Sequence, residues 1–339
     1  MPESLKASTR VKRGKGVRRK VSSSSDLPSS WPDFLHVDQN KTELFQFLSN
    51  RISSASFVDR QVFVTDGPMV LSNKSQELIT LPSYCSHEEA DTRLLLHVFD
   101  AAGAGFSKVM IRTVDTDVVV IAIACFSRLA VEELWVWFGT GSHVRYVPVH
   151  ELAVSLKPDH CLALPFFHAF TGCDTVSAFA GHGKKTAWET WLAFPDVTSV
   201  FVQLSSQPKD IDACMPLLER YTVLLYDRTS NKMTVNEARK QLFAKKGRRM
   251  EDLPPTQAAL VQHAKRAAIQ SGYCWFAALE ANPQLPCPSD WGWVKATESD
   301  TDGDGVWQPL WSTLSDVAHC CPELVKCGCK KGCALCKPM

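Results

Sequence analysis

The strongest constraint on how this chain can fold is a short succession of apolar segments broken by one acidic turn. Val109–Arg112 reads as a strand, Thr113-Val114-Asp115-Thr116-Asp117 follows as a turn, and Val118–Phe126 (VVVIAIACF) is apolar without interruption. A helix with no polar face has to be buried on every side. Leu134–Phe138 (LWVWF) then reads as a second buried strand, and Val144–Val147 as a neighbour that pairs with it. Apolar strands alternating with helices belong to an α/β fold with a mainly parallel sheet. Apolar residues make up 45% of the 339, enough to build that core in one large domain or two smaller ones.

The regions around this centre differ in character. Residues 1–30 carry Lys6, Arg10, Lys12, Arg13, Lys15, Arg18, Arg19 and Lys20 ahead of Ser22–Ser25, which reads as a basic flexible arm. Such an arm is a solvated tail, a phosphate-contacting segment or a nuclear-import signal, and composition does not choose among them. Thr42–Asn50 has helical spacing, with Leu44, Phe45, Phe47 and Leu48 as its apolar face. Gln61–Thr65 reads as a strand closed by Asp66-Gly67. Ser86–Ala102 reads as a helix with Ser86 as N-cap, Glu88 and Glu89 in the first turn, and Leu94, Leu95, Val98 and Ala102 as the buried stripe. The chain is mostly helical from His150 to about Leu192. Val223–Tyr226 reads as a strand, and Val235–Phe243 and Pro255–Gln270 as helices, while residues 281–312, rich in Trp and Pro, read as an irregular wrap. The expected organisation is therefore an arm (1–30), an α/β core (31–200), a helical and Trp/Pro-rich extension (201–318) and a Cys-rich tail (319–339). No apolar stretch approaches the roughly 20 residues that span a bilayer, and the basic N-terminus lacks the apolar segment of a signal peptide. An intracellular, nuclear protein with reduced thiols is the expectation.

Three acidic motifs carry the chemistry. In Ser86-His87-Glu88-Glu89-Ala90-Asp91, Glu88 and Asp91 share one helix face, where like charges repel unless a cation lies between them. In Thr113-Val114-Asp115-Thr116-Asp117, two carboxylates follow a strand, where open α/β sheets collect their ligands. Phe170-Thr171-Gly172-Cys173-Asp174 adds one more after an apolar helix. Singly, these are an acidic helix start, an N-cap and a C-cap turn. Together they gather hard oxygen ligands suited to Mg²⁺ or Mn²⁺. Two such ions about 3.5–4 Å apart can activate a water and stabilise the leaving oxygen of a phosphodiester.

The order Glu-Glu-Ala-Asp, then Asp-Thr-Asp, then Gly-Cys-Asp resembles the PIN-like superfamily, and most closely its flap-endonuclease branch of structure-specific 5′ nucleases. The resemblance covers about residues 85–190. It implies a PIN-like three-layer α/β domain in which Glu88, Glu89, Asp91, Asp115, Asp117 and Asp174 are catalytic acids, with Glu88, Asp91, Asp115, Asp117 and Asp174 binding one or two Mg²⁺ or Mn²⁺ ions. Gly181-His182-Gly183-Lys184-Lys185 is similar to the helix–hairpin–helix that follows in that branch. There Gly181 and Gly183 would let backbone N–H groups approach a phosphate, and Lys184 and Lys185 would add charge. The plainer reading is a Gly-rich turn with solvated lysines. Stretches such as His87–Arg93, Phe167–Trp188, Leu224–Ser230, Leu253–Ala268 and Asp290-Trp291-Gly292-Trp293 are similar to a family carried by animal mobile elements. PIN-type nucleases also use carboxylates from two earlier strands, and no Asp precedes Asp26 here, so those strands are expected to be missing.

Cys327, Cys329, Cys333 and Cys336 offer four thiolates within ten residues. They resemble the start of a tesmin-type cysteine-rich (CXC) DNA-binding motif and are either zinc ligands or a reduced tail. Asp300-x-Asp302-x-Asp304-Gly305 mimics an EF-hand loop but has Trp311 where Glu is required, so it reads as a surface loop. His168 lies in an apolar run and reads as a satisfied core histidine. The expected function is a divalent-metal-dependent nuclease acting on structured or single-stranded-ended DNA. The alternative is a catalytically incomplete, nuclease-derived nucleic-acid-binding protein of a mobile element. A transposase with an RNase-H-like carboxylate site is a third class. No membrane partner is expected, and oligomeric state is not legible.

Overall fold

The computed structural model describes residues 17–55, 57, 60–74, 85–87, 89–206, 208–245, 249–295 and 307–312. The chain opens with helices α1 (Trp31–Leu35) and α2 (Asp38–Ser53), then the antiparallel hairpin β1 (Phe63–Asp66) and β2 (Met69–Ser72), turned at Gly67 with φ +54°. The inner end of the basic stretch is fastened to α2. Asn40 accepts the Arg19 N–H and donates to the Val17 carbonyl, while Glu43 accepts the Val21 N–H. The expected apolar face of α2 is not buried: Phe45 is 55% exposed, and the buried side chains of this helix are Asn40 and Ser49. Among the described residues, the elements that pack most on α2 are α1 and the hairpin, and they leave that face uncovered.

Next come α3 (Ala90–Gly103), β3 (Lys108–Thr113), α4 (Thr116–Cys125), β4 (Glu133–Phe138) and β5 (Arg145–Pro148). These match the expected elements except at the start of α3. Ser86 is not its N-cap. The backbone N–H of Ser86 is bonded to the Ala281 carbonyl, and the His87 ring to the Glu280 carbonyl, and it is Glu89 that takes the cap position. The central sheet has the order β3-β4-β5, with β3 parallel to β4 and β5 antiparallel to β4. The fold is mixed α/β, but among the described residues the sheet is not mainly parallel. Residues 139–144 are too short a connection for a crossover and return the chain as a hairpin partner.

The remaining helices are α5 (Val149–Leu156), α6 (Pro158–Phe170), α7 (Lys184–Ala193), α8 (Thr198–Ser206), α9 (Ile211–Tyr226), α10 (Val235–Ala244) and α11 (Gln257–Ile269), the last continued by a wide π turn over Gln270–Trp275. Thr256 caps α11, so Pro255 precedes it. Val223–Tyr226 is the last turn of α9 and not a strand. Its β-branched and aromatic residues favour extended backbone in isolation, but Val223 and Leu225 are buried in the helical core and tertiary packing decides. Strands β6 (Trp293–Lys295) and β7 (Trp307–Pro309) pair antiparallel, giving the Trp-rich segment more regular structure than expected. Arg266 fastens it by donating to the Gly292 and Leu310 carbonyls.

Helix α6 is the axis of the core. It packs against α4, α8 and α11, and stacks Phe166, Phe167 and Phe170 on Phe201, Trp191 and Tyr221. Pro165 interrupts its backbone ladder, and the next N–H, of Phe166, is satisfied by Ser205 Oγ at 2.9 Å. One continuous cluster runs from Leu95 to Ala278, so the chain beyond residue 200 completes the core of the α/β part. Among the described residues no helix is long and apolar enough to cross a membrane.

Candidate metal centre

The acidic turn between β3 and α4 caps itself. Thr113 Oγ1 accepts the Asp115 N–H at 3.0 Å, and Asp115 Oδ1 accepts the Asp117 N–H at 2.9 Å from an extended N-cap conformation. This fixes both carboxylates where the strand's end meets a helix N-terminus, whose dipole favours negative charge. Helix α3 packs against α4 and brings Asp91 to the same place. One carboxylate oxygen from each of Asp91, Asp115 and Asp117 lies within 4.8 Å of the others. Around one octahedral Mg²⁺ with bonds of about 2.1 Å, adjacent oxygens are about 3.0 Å apart and opposite ones about 4.2 Å, so the three would have to draw closer to share one ion.

Electrostatics agrees with crowding. Burial pushes the Asp115 carboxyl above its usual range. The hydrogen bond from Asp117 N–H pulls it down, and the charges of Asp117, Asp91 and Asp174 push it up again. Asp174 is thus felt at the site, although it stands outside the tight group of three. The turn that carries it depends on Gly172, at φ +113°.

Asp117 is nearly fully buried, and its Oδ1 accepts from His168 Nε2 at 2.8 Å. His168 is a satisfied buried histidine, as its apolar surroundings suggested, but the group that satisfies it is a site carboxylate. A ring N–H on an inner oxygen fixes the rotamer of a ligating carboxylate. The signal in the sequence was there: a lone polar side chain in an apolar helix needs a buried partner, and the acids supply one.

Glu89 is held at the α3 N-cap position by Gln270 Nε2, 3.2 and 3.3 Å from its two oxygens. Glu88 lies outside the described residues, as do Cys327, Cys329, Cys333, Cys336 and the Asp300–Asp304 loop. Gly181 has φ +72° and Gly183 precedes α7 as its N-cap. A side chain at either would meet open space, so neither is required by packing. Lys184 has a structural task. Its ammonium donates to the His168 and Gly172 carbonyls, each at 2.6 Å, and to Thr171 Oγ1 at 3.0 Å, closing the C-terminus of α6. Burial lowers it to about 8. Lys185 is exposed. A cross-strand row lies on the sheet just before the acidic turn. Arg112 sits 4.8 Å over the Trp137 ring, which stands 5.8 Å from Tyr146. Sequence reading missed this row because its members come from three strands, and it missed the Gln270–Thr175 contact because those residues lie 95 positions apart. No family model, curated protein or solved structure matches this chain.

Proposed function

We propose that the protein is a divalent-metal-dependent nuclease that hydrolyses phosphodiester bonds of structured or single-stranded-ended DNA, built on a PIN-like framework of the flap-endonuclease type. The observation that carries the reading is the convergence of Asp91, Asp115 and Asp117, drawn from two separate segments, on one point at the end of a strand. Asp91, Asp115 and Asp117 would hold one or two Mg²⁺ or Mn²⁺ ions, with the charge of Asp174 close enough to act on Asp115. When bound, the ions would supply an activated water and neutralise charge on the phosphodiester. The chain's own part is orientation: His168 locks Asp117, the Thr113–Asp117 turn locks Asp115, and Lys184 locks the end of α6 beside them.

The reading is tested with labelled single-stranded, hairpin and flap DNA and RNA in Mg²⁺, Mn²⁺ or EDTA. The expected result is cleavage only with metal, reduced at least a hundredfold in Asp115→Asn and Asp117→Asn. Metal-independent cleavage, or cleavage indifferent to both substitutions, would refute it.

A stability prediction follows from the same geometry. An ion at about 100 times its Kd adds about 2.7 kcal/mol to the native state, which is about 4 °C in melting temperature for a cooperative unit of this size. Asp115→Asn should lose most of this gain. In EDTA the same variant should melt no lower than wild type, because asparagine keeps the oxygen that caps the Asp117 N–H and removes one repelling charge. Calorimetry with and without metal checks both signs.

A second reading, a nuclease-derived nucleic-acid-binding protein without catalysis, is favoured by the Arg112–Trp137–Tyr146 row. Base stacking on aromatic side chains beside a cation needs no metal. It predicts binding that weakens with salt and is indifferent to EDTA.

A further inference from the structure

We propose that Gln270 is a positioning residue for the metal site, and that through it the C-terminal half of the chain completes that site; the inference rests on the metal-binding reading above. Gln270 is 3% exposed and stands 181 residues from Glu89 and 95 from Thr175. Its amide NH₂ faces both oxygens of Glu89, and its carbonyl oxygen accepts from Thr175 Oγ1 at 2.9 Å. The orientation of the amide is forced. A carboxylate can only accept, so the NH₂ turns to Glu89 and leaves the oxygen for the hydroxyl. One side chain thus ties the segment that enters α3, with Glu89 and Asp91, to the turn that carries Asp174 beside Thr175.

The position of this amide is itself over-determined. Gln270 begins the π turn that ends α11, and π turns shift the residues that follow out of helical register, a device common at functional sites. Ser271 Oγ donates to the Ala267 carbonyl at 2.8 Å and to the Leu204 carbonyl at 3.3 Å. A Cβ on Gly272 would lie 2.6 Å from the Leu204 carbonyl oxygen and 2.7 Å from the Pro208 ring, so only glycine lets the turn seat there. The turn is clamped against the end of α8, and the clamp aims Gln270 at Glu89. A neutral amide is what the position needs. It orients the carboxylate without cancelling the charge that would hold a cation, as a lysine or arginine would do.

The test is titration of the full chain with Mn²⁺, followed by loss of the six-line spectrum of the aqueous ion, alongside thermal melts. Wild type is expected to bind. Gln270→Met, of similar length but without hydrogen bonds, should weaken Mn²⁺ binding tenfold or more, as outer-sphere substitutions do. Thr175→Val, which leaves Gln270 in place and removes one anchor, should weaken it severalfold and keeps the test available if Gln270→Met fails to fold. Leu242→Ala, which opens a cavity under α10 and leaves the Gln270 clamp untouched, should lower the melting temperature and leave the affinity unchanged, which separates positioning from stability. If wild type binds and both Gln270→Met and Thr175→Val bind equally well, the positioning role is overturned while the metal site stands. If wild type takes up no Mn²⁺, the metal reading itself falls, and this inference with it.

Discussion

Replacing Gly172 by alanine should cost about 4 kcal/mol of stability, the largest effect expected of any single change near the site. Gly172 has φ +113°, a conformation that costs a residue with a side chain about 1–3 kcal/mol. The added Cβ would also lie 2.8 Å from the Ala178 Cβ and 2.9 Å from its Cα. Neither is the end of a flexible side chain, so the backbone must move, and overpacking of this kind costs about 1–3 kcal/mol more. Gly181→Ala is the matched comparison. Its φ is also positive, but its Cβ would meet open space, so it should cost only about 1–2 kcal/mol. Urea unfolding of the two variants measures the difference. Equal losses would show that the close approach to Ala178 is not a constraint.

Acid should destabilise the protein through His263 by up to about 3 kcal/mol. The ring is fully buried, donates from Nε2 to the Phe170 carbonyl at 2.7 Å and lies against Phe170 and Phe179. Burial holds it down to about 4, against 6.5 for an unhindered histidine; the hydrogen bond to Phe170 opposes this and Arg266 adds to it. The folded-state value is below the unfolded one. Its contribution is therefore complete above pH 6.5 and is lost as pH falls from 6.5 towards 4, while the unfolded chain takes up the proton and the folded chain does not. A gap of about 2.5 units corresponds to about 3 kcal/mol. Carboxylates also titrate in this range, so the difference between wild type and His263→Gln is the quantity to measure. Glutamine keeps an N–H donor near the Nε2 position, so stability at pH 7.5 should be nearly retained and the acid dependence should flatten. Parallel pH profiles for the two proteins would contradict the burial of a neutral ring.

The parts of the fold that were legible in the sequence are those in which a segment's own pattern matches its surroundings. α4 is apolar because it is buried, β4 buries Leu134 and Val136, and β3 buries Ile111 alone yet keeps a strand's pattern, which is enough to find each. The acids of the β3–α4 turn were legible because Asp115 does two jobs, cap and candidate ligand, within three residues. What was not legible depends on distant partners. Ser86 looks like a helix cap, but Ser86 and His87 bond to Ala281 and Glu280 instead. Val223–Tyr226 looks like a strand because nothing local records that it will be packed into the core as helix. Phe45 and Leu48 look like a buried face, yet among the described residues nothing covers them. Of the glycines that drew attention, Gly181 and Gly183 have open space beside them, while Gly172 meets Ala178 and Gly272 meets Leu204 and Pro208, and these two are the demanding ones. Lys184 shows the same limit. A lysine after a Gly-x-Gly turn suggests a phosphate, and only the fold reveals the helix end it closes.

The central claim is that Asp91, Asp115 and Asp117 bind a divalent ion. It is tested most directly by an anomalous difference map from crystals grown with Mn²⁺. The account predicts a peak about 2.0–2.3 Å from carboxylate oxygens of all three residues, and none in crystals of Asp115→Asn. A map with no peak there, or with its manganese peak at the Asp300–Asp304 loop instead, would contradict it.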